Sequence, residues 1–533
     1  MASSSIFWLV ALLVPVLYRL LRVGRRPYGY PPGPPTVPVL GNLHQMAVAM
    51  TDPHLQFEKW AQEYGPIYSL MLGTKTMIIL SNDVVIKDLI DKKSAIYSSR
   101  PDLYIGKMLS GGLRMVMEAY GPTWRTQRKL IHNALSLKKV AAYQPYQEME
   151  TRQLLYDILH DSTGLLEHFR RWASSLITSV VFGFRWKTLD DSRLQEFFGI
   201  IDSLQEISAA GATTLPDIYP ALRKIPPVLY PMSGRALSHH KHEKSIYTSY
   251  FLRAKDEIVN KLPTVRTCTC EDIVEAQKHE AFDDDFAAYI ACTLFEAGSE
   301  TTSSELYGFA QAMLLYPDAQ RKGQVEVDTL CGDDRWPTFN DMSELSYVRA
   351  CVKETLRWMP ATLIGAVPHA LTEDDHYNGY KLPAGAIILL NVWTIHRDPK
   401  RYTNPDKFLP ERFLGDDTTA AESFALADAT KRDHFSFGSG RRVCPGIHLA
   451  DRSIFLVIAR MLWAFDIKPK LDSNGEAMLP KQDQFVEGMA VHPKKFDVEI
   501  VPKSEKRRAF VEKMWAEASN ELDGEGQFLQ NPI

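Results

Sequence analysis

Apolar residues recur at three- and four-residue spacing through most of positions 84–330, the period of helices that bury one face. Residues 53–64 predict a first helix, 282–316 a long one, and 447–465 an apolar one. Strand-like patches are few. Residues 67–72 and 76–80 flank Gly73-Thr74-Lys75, which predicts a hairpin. Residues 386–393, after Pro383-Ala384-Gly385, also read as a strand. The fold class expected is mainly α with a small β portion.

The ends of the chain depart from this pattern. Residues 6–18 form an apolar run that includes Trp8, and Arg19, Arg22, Arg25 and Arg26 follow it. A signal peptide carries its charge before the apolar stretch. Here the charge comes after it, so the positive-inside rule keeps the basic side in the cytosol. The run is short against the ~20 residues of a span. Leu20, Leu21 and a snorkelling Arg19 would extend it into a membrane anchor; an interfacial helix is the other reading. Pro31, Pro32, Pro34, Pro35 and Pro38 predict a stiff, extended spacer. The proline-rich stretch 216–231 reads either as a long irregular surface loop or as an apolar segment dipping into a membrane interface. A charged helical stretch over 505–522, with a polar end, predicts a solvated extension. The expected divisions are 1–26 anchor and basic flank, 27–38 hinge, 39–502 one large catalytic domain, and 503–533 extension.

Composition narrows the classes. The chain has 533 residues, 45% hydrophobic and 24% charged, enough for a large core. A net charge of −4 gives no global basic character for nucleic acid. The six cysteines are scattered, with neither a disulfide framework nor CxxC zinc spacing. Cys268 and Cys270 read as surface thiols, in keeping with a reducing, cytosol-facing compartment.

One cysteine has a setting that suggests chemistry. Cys444 lies in Phe437-Gly438-Ser439-Gly440-Arg441-Arg442-Val443-Cys444-Pro445-Gly446, a glycine-rich turn before the apolar helix. A thiolate is a soft ligand for iron, glycines let backbone approach a flat cofactor, and a helix N-terminus favours the negative sulfur. The pattern F-x-x-G-x-R-x-C-x-G resembles the haem-binding loop of the cytochrome P450 family, the haem-thiolate monooxygenases. The resemblance implies haem b as cofactor, Cys444 as its axial iron ligand and Arg442 as a propionate partner.

Further segments fit the same family. Ala297-Gly298-Ser299-Glu300-Thr301-Thr302 puts a glycine mid-helix, at a cost of ~1 kcal/mol against alanine. A threonine hydroxyl there can bond back to a carbonyl, and a carboxylate beside a hydroxyl can relay protons. The six residues match the family's oxygen-binding pattern, which implies Thr301 and Glu300 as catalytic residues. Trp124 and Arg128, four apart, share a helix face, where an indole N–H and a guanidinium can hold an anion. Their resemblance is to the family's propionate-binding helix. His369, in Pro368-His369-Ala370, is either a further propionate contact or an ordinary core or surface histidine. Glu354 and Arg357, three apart, together with Arg412 of Pro410-Glu411-Arg412-Phe413, resemble the buried Glu-Arg-Arg cluster that supports the haem pocket.

The resemblance implies a P450 fold with haem between the oxygen-binding helix and the cysteine loop. No nucleotide-binding glycine loop is present, since Gly438-x-Gly440 lacks its third glycine. Electrons are therefore expected from NADPH–cytochrome P450 reductase, with cytochrome b5 as a second donor. The anchor and the family imply the endoplasmic reticulum membrane, with the catalytic domain in the cytosol. Residues 101–117, 216–231, 291–295, 363–367 and 485–489 are the expected substrate contacts; they are mostly apolar, which favours a lipophilic small molecule. The motif set looks most like filamentous-fungal members, many of which act in secondary metabolism. The alternatives are a dioxygen-independent isomerase or dehydratase, and a non-catalytic haem-binding scaffold. The intact Glu300-Thr301 pair speaks against both.

Overall fold

The computed structural model describes residues 8, 14–15, 17–49, 52–209, 211–486, 488 and 490–533. Much of the predicted anchor segment 6–18 lies outside the described residues. Among the described residues, no helix is long and apolar enough to cross a membrane.

The body is helical: α1 (Pro122–Ala134), α2 (Gln144–His160), α3 (Leu165–Phe182), α4 (Ser192–Ala209), α5 (Pro231–Val259), α6 (Asp284–Leu315), α7 (Ser346–Trp358), α8 (Ile447–Ala464) and α9 (Glu505–Ser519). α6 is the axis of the fold. Asp283 caps it by accepting from Phe286 N–H, and Asp284 and Asp285 suit the positive end of its dipole. It is buried along most of its length, so it carries apolar residues on nearly every side. α3 crosses it closely at Gly298, where a Cβ would lie 2.8 Å from Cγ1 of Ile177. That glycine therefore serves helix packing as well as the site beneath it.

The main sheet runs in the order β1 (Ile67–Leu72), β2 (Lys75–Leu80), β4 (Ile387–Leu390), β3 (His369–Ala370). The predicted hairpin is present, with Leu72 facing Lys75. The strand expected over 386–393 stops at Leu390, and Val392–His396 is helical. Asn391 turns its amide to Ser81 Oγ at 3.0 Å, and Arg357 Nη1 donates to His396 O at 2.8 Å. These tertiary bonds override the local β preference of Val392-Trp393.

Other expectations change. Cys268 and Cys270 are both buried in the main core, not at the surface. The stretch 216–231 is not a loose loop: Pro216 sits inside the helix Gly211–Ile218, and 3₁₀ turns follow at Pro220–Lys224 and Pro227–Leu229. It is tied to the N-terminal lobe by Tyr219 Oη, which donates to Val39 O at 3.0 Å. The proline-rich spacer is pinned as well. Ser69 N–H donates to Pro32 O at 2.7 Å, and the Arg26 guanidinium reaches Gly33 O, Pro34 O and Ser69 O.

The tail is the largest departure. α9 docks through the stripe Arg507, Val511 and Ala518, all buried. Arg507 Nη1 donates to Trp463 O at 2.6 Å and to Asp328 Oδ1 at 2.8 Å. Beyond it Phe528 is buried, its carbonyl held by Arg266. A helix that looks charged overall needs only this narrow stripe to dock.

Candidate active site

Cys444 and α6 face each other across an apolar cavity of about 330 Å³. The cysteine loop is shaped by its glycines. Gly440 has φ +66°, and a Cβ there would lie 2.5 Å from Ile90 O; its N–H donates to Asp91 Oδ1 at 2.8 Å. Cys444 N–H donates to Phe437 O at 2.9 Å, which closes the turn. Burial pushes the thiol pKa up, while the Gly446 N–H and the Arg128 guanidinium favour the thiolate. The sulfur lies just before the start of α8, whose dipole acts in the same sense.

On the opposite wall, Thr301 Oγ1 donates to Ala297 O at 2.8 Å, the back-bond its position suggested. Thr301, Ala297 and Thr302 line the cavity; Glu300 does not. Its carboxylate turns outward, accepting from Gln205 Nε2 at 3.2 Å and from Arg170 Nη2 at 3.4 Å. Burial raises its pKa and Arg170 opposes that shift.

The rim is cationic. Arg442 lies over the Trp124 ring, 4.3 Å from its centre, and donates to Ser98 O at 2.8 Å and Glu118 O at 2.6 Å. Arg128 has no hydrogen-bond partner among the described residues. Arg100, which sequence reasoning missed, donates to Val116 O at 2.9 Å and Val367 O at 2.5 Å. Burial, with Arg100 and Arg128 adding repulsion, lowers the Arg442 pKa to about 9. Burial lowers that of Arg100 to about 10. None of the three forms an ion pair with a described carboxylate. Half-buried, mutually repelling guanidiniums with no ion-paired carboxylate favour a ligand with negative charge. The only sequence signal for Arg100 was an arginine just before Pro101.

His369 is buried in the same wall, its Nδ1 2.8 Å from Tyr97 O. Burial, then Arg100, lowers its pKa to about 3, so the ring is neutral and Nδ1 carries the proton. Its Nε2 then offers only a lone pair, which does not suit an anion; Arg100 supplies the charge on that side. Glu305, also missed, lines the cavity one turn past Thr301. Its Oε1 accepts the Ala361 N–H at 2.8 Å, its Oε2 is buried without a partner, and burial holds its pKa well above the carboxylate range. Glu354, Arg357 and Arg412 meet away from the cavity. Arg357 forks onto Glu354 with two 2.7 Å bonds, and Arg412 Nε donates to both carboxylate oxygens at 3.1 Å. Of the five expected contact stretches, 101–117, 291–295 and 363–367 contribute to the wall; the described residues of 216–231 and 485–489 do not.

A cysteine thiol at the wall, an apolar cavity and cations without ion-pair partners beside it fit an iron porphyrin with two carboxylates, so the site is of the haem-thiolate class. The chain belongs to the cytochrome P450 family: the family model described as Cytochrome P450 matches residues 31–500. Its cofactor is haem b. The chain is 45% identical over 522 residues to cytochrome P450 monooxygenase virE of Hypocrea virens, covering 98% of this chain and 94% of that one. It is 44% identical over 533 residues to fogE of Aspergillus ruber, covering 100% and 97%, and 42% identical over 531 residues to fsoB of Humicola fuscoatra, covering 98% and 97%. Both carry the same description. Among solved structures, a zebra fish cytochrome P450 with abiraterone aligns with TM-score 0.67 at 24% identity, over 85% of this chain and 100% of that one. A second, with progesterone, gives 0.68 at 24%, over 85% and 99%. These likenesses concern the fold.

Proposed function

We propose that the chain is a monooxygenase that inserts one oxygen atom of dioxygen into a lipophilic small molecule, with NADPH-derived electrons, in fungal secondary-metabolite biosynthesis. The observation that carries this reading is Cys444 facing Thr301 across an apolar cavity. The fungal relatives described as monooxygenases support it.

Haem b, when bound, supplies dioxygen activation and oxygen insertion. The chain's own residues do the rest. Cys444 holds the metal, its sulfur steadied by the Gly446 N–H. Arg442, Arg128, Arg100 and Trp124 hold the cofactor's carboxylates. Thr301 keeps a hydroxyl at the cavity wall, and the preceding residue, Glu300, connects that turn to Arg170. Together they pass protons inward. Leu176, Ile177 and Leu294 keep the interior apolar and limit water.

Electrons come from NADPH–cytochrome P450 reductase, with cytochrome b5 as a second donor. Membrane attachment at the endoplasmic reticulum, with the body in the cytosol, is supported by the arginine-flanked apolar run. It is supported also by Val228, 89% exposed, and Leu229 on the segment joined to Val39.

The test is the carbon monoxide difference spectrum of the reduced holoprotein, native and Cys444→Ser, followed by product analysis with reductase and NADPH. A thiolate-type spectrum lost in the variant, with oxygenated product, is expected. An unchanged spectrum sinks the ligand assignment. Turnover that needs neither reductase nor dioxygen replaces the reading with a haem-thiolate isomerase or dehydratase.

A further inference from the structure

Several threonines on the helices of this protein satisfy their hydroxyls locally. Thr178 donates to Ser174 O at 2.9 Å, Thr355 to Cys351 O at 2.8 Å and Thr301 to Ala297 O at 2.8 Å, each one turn back. Thr293, buried at the cavity wall, does not. It is 6% exposed, it lines the cavity, and its Oγ1 has no partner among the described residues. An unpaired buried hydroxyl is unfavourable, and a back-bond to the preceding turn is open to any helical threonine. A hydroxyl left free in a ligand-sized cavity is placed for a ligand.

The surroundings define that ligand. Beside Thr293 on α6, the cavity wall is Leu294 and Ala297, both apolar. The cations gather at the cysteine-loop rim, and Glu305 lies three turns further along α6, beyond Thr301. Between Thr293 and Thr301 no charged side chain of α6 lines the cavity, since Glu296 and Glu300 do not reach it. Thr293, Ala297 and Thr301 follow one another at four-residue intervals on the cavity side of α6. By helix rise, Thr293 is about 6 Å from Ala297 and about 12 Å from Thr301.

We propose that Thr293 is a specificity-determining residue whose hydroxyl pairs with a neutral oxygen, carbonyl or hydroxyl, of an otherwise apolar substrate. That oxygen sits roughly 6–12 Å from the carbon presented opposite Ala297 and Thr301. The proposal rests on the monooxygenase reading of the cavity and names its substrate class.

The experiment titrates the holoenzyme with medium- and long-chain 2-alkanones and their parent alkanes, following the haem absorbance change and, independently, equilibrium dialysis. The native protein should bind at least one ketone more tightly than its alkane. Thr293→Val, equal in shape but without the hydroxyl, should lose about tenfold in ketone affinity and leave the alkane unchanged. Thr293→Ser should keep the preference. Three results would overturn the proposal: no ketone preference in the native protein, an unaltered preference in Thr293→Val, or a Thr293→Ser as weak as the valine variant. The carbon monoxide spectrum of the same samples separates the two levels. A native spectrum without thiolate character would refute the haem-thiolate reading itself, whereas a normal spectrum with no ketone effect would refute only the role of Thr293.

Discussion

Arg442 stacks its guanidinium over the ring of Trp124 while its Nη2 and Nε hold Glu118 O and Ser98 O. The contact fixes one cation at the rim before any cofactor arrives. It forms no ion pair with a described carboxylate: Glu118 attracts it from a distance, while Arg100 and Arg128 beside it add positive charge.

Removing that cation should weaken cofactor retention more than it weakens the fold. A hydrogen bond to a charged group contributes about 1.5–3 kcal/mol. Arg442→Leu is expected to lose haem roughly 10- to 100-fold more readily, measured by haem-to-protein ratio and by hemin titration of the apoprotein. Arg442→Lys should recover part of this, because it keeps charge but not the planar stack. Equal retention in all three proteins would remove Arg442 from the cofactor site.

The tail should matter to stability. Arg507 lies over the Trp463 ring at 4.9 Å and bonds Asp328, Asp333 and Trp463 O. Arg507→Ala leaves the buried Trp463 O without its donor and removes two ion pairs whose carboxylates are partly exposed, a loss of about 1–3 kcal/mol. A clear fall in the urea midpoint is expected, and truncation after Pro502 should lower it further. A truncated chain with the native midpoint would show that α9 contributes nothing.

Acid should destabilise the protein through His369. Its pKa is near 6.5 when unfolded and about 3 when folded. The unfolded state therefore binds the proton first as pH falls. Stability is full above pH 6.5 and declines toward pH 3, by at most ~1.4 kcal/mol per pH unit from this group. The buried His396 shifts the same way. Urea midpoints at pH 7 and 5.5 should differ less in His369→Gln than in the native protein.

Glu305 should behave oppositely. Its folded pKa is raised, so the native state holds a proton that the unfolded chain releases above pH ~4.5. Stability is complete below that pH and declines as pH rises through the folded value. Glu305→Gln keeps an acceptor for Ala361 N–H and cannot ionise. Its stability relative to the native protein should rise between pH 6 and 8, and a carboxylic-acid C=O band seen by infrared at neutral pH should vanish. No such band in the native protein would mean that Glu305 is ionised.

Local rules carried some elements a long way. Pro53 at a helix start, Gly73-Thr74 at a hairpin, and Gly440 where a Cβ would strike Ile90 O are written in short windows. Other features were hidden because they depend on residues far apart in the chain. Arg100 has no motif, and its charge acquires meaning only beside Arg442 and Arg128. Glu305 reads as one more helical carboxylate until Ala361 and the cavity surround it. Glu300 sits in the expected motif, yet its carboxylate reaches Arg170 and Gln205.

By itself the sequence determined the helical class, the turn that presents Cys444 and the back-bonding position of Thr301, because backbone sterics and helix periodicity act within a few residues. Only the tertiary structure decided which charges share a rim, which side chains meet the cavity, that α9 belongs to the body, and that Thr293 keeps a free hydroxyl. Burial and electrostatics are sums over neighbours brought together by the fold, and no local window contains them.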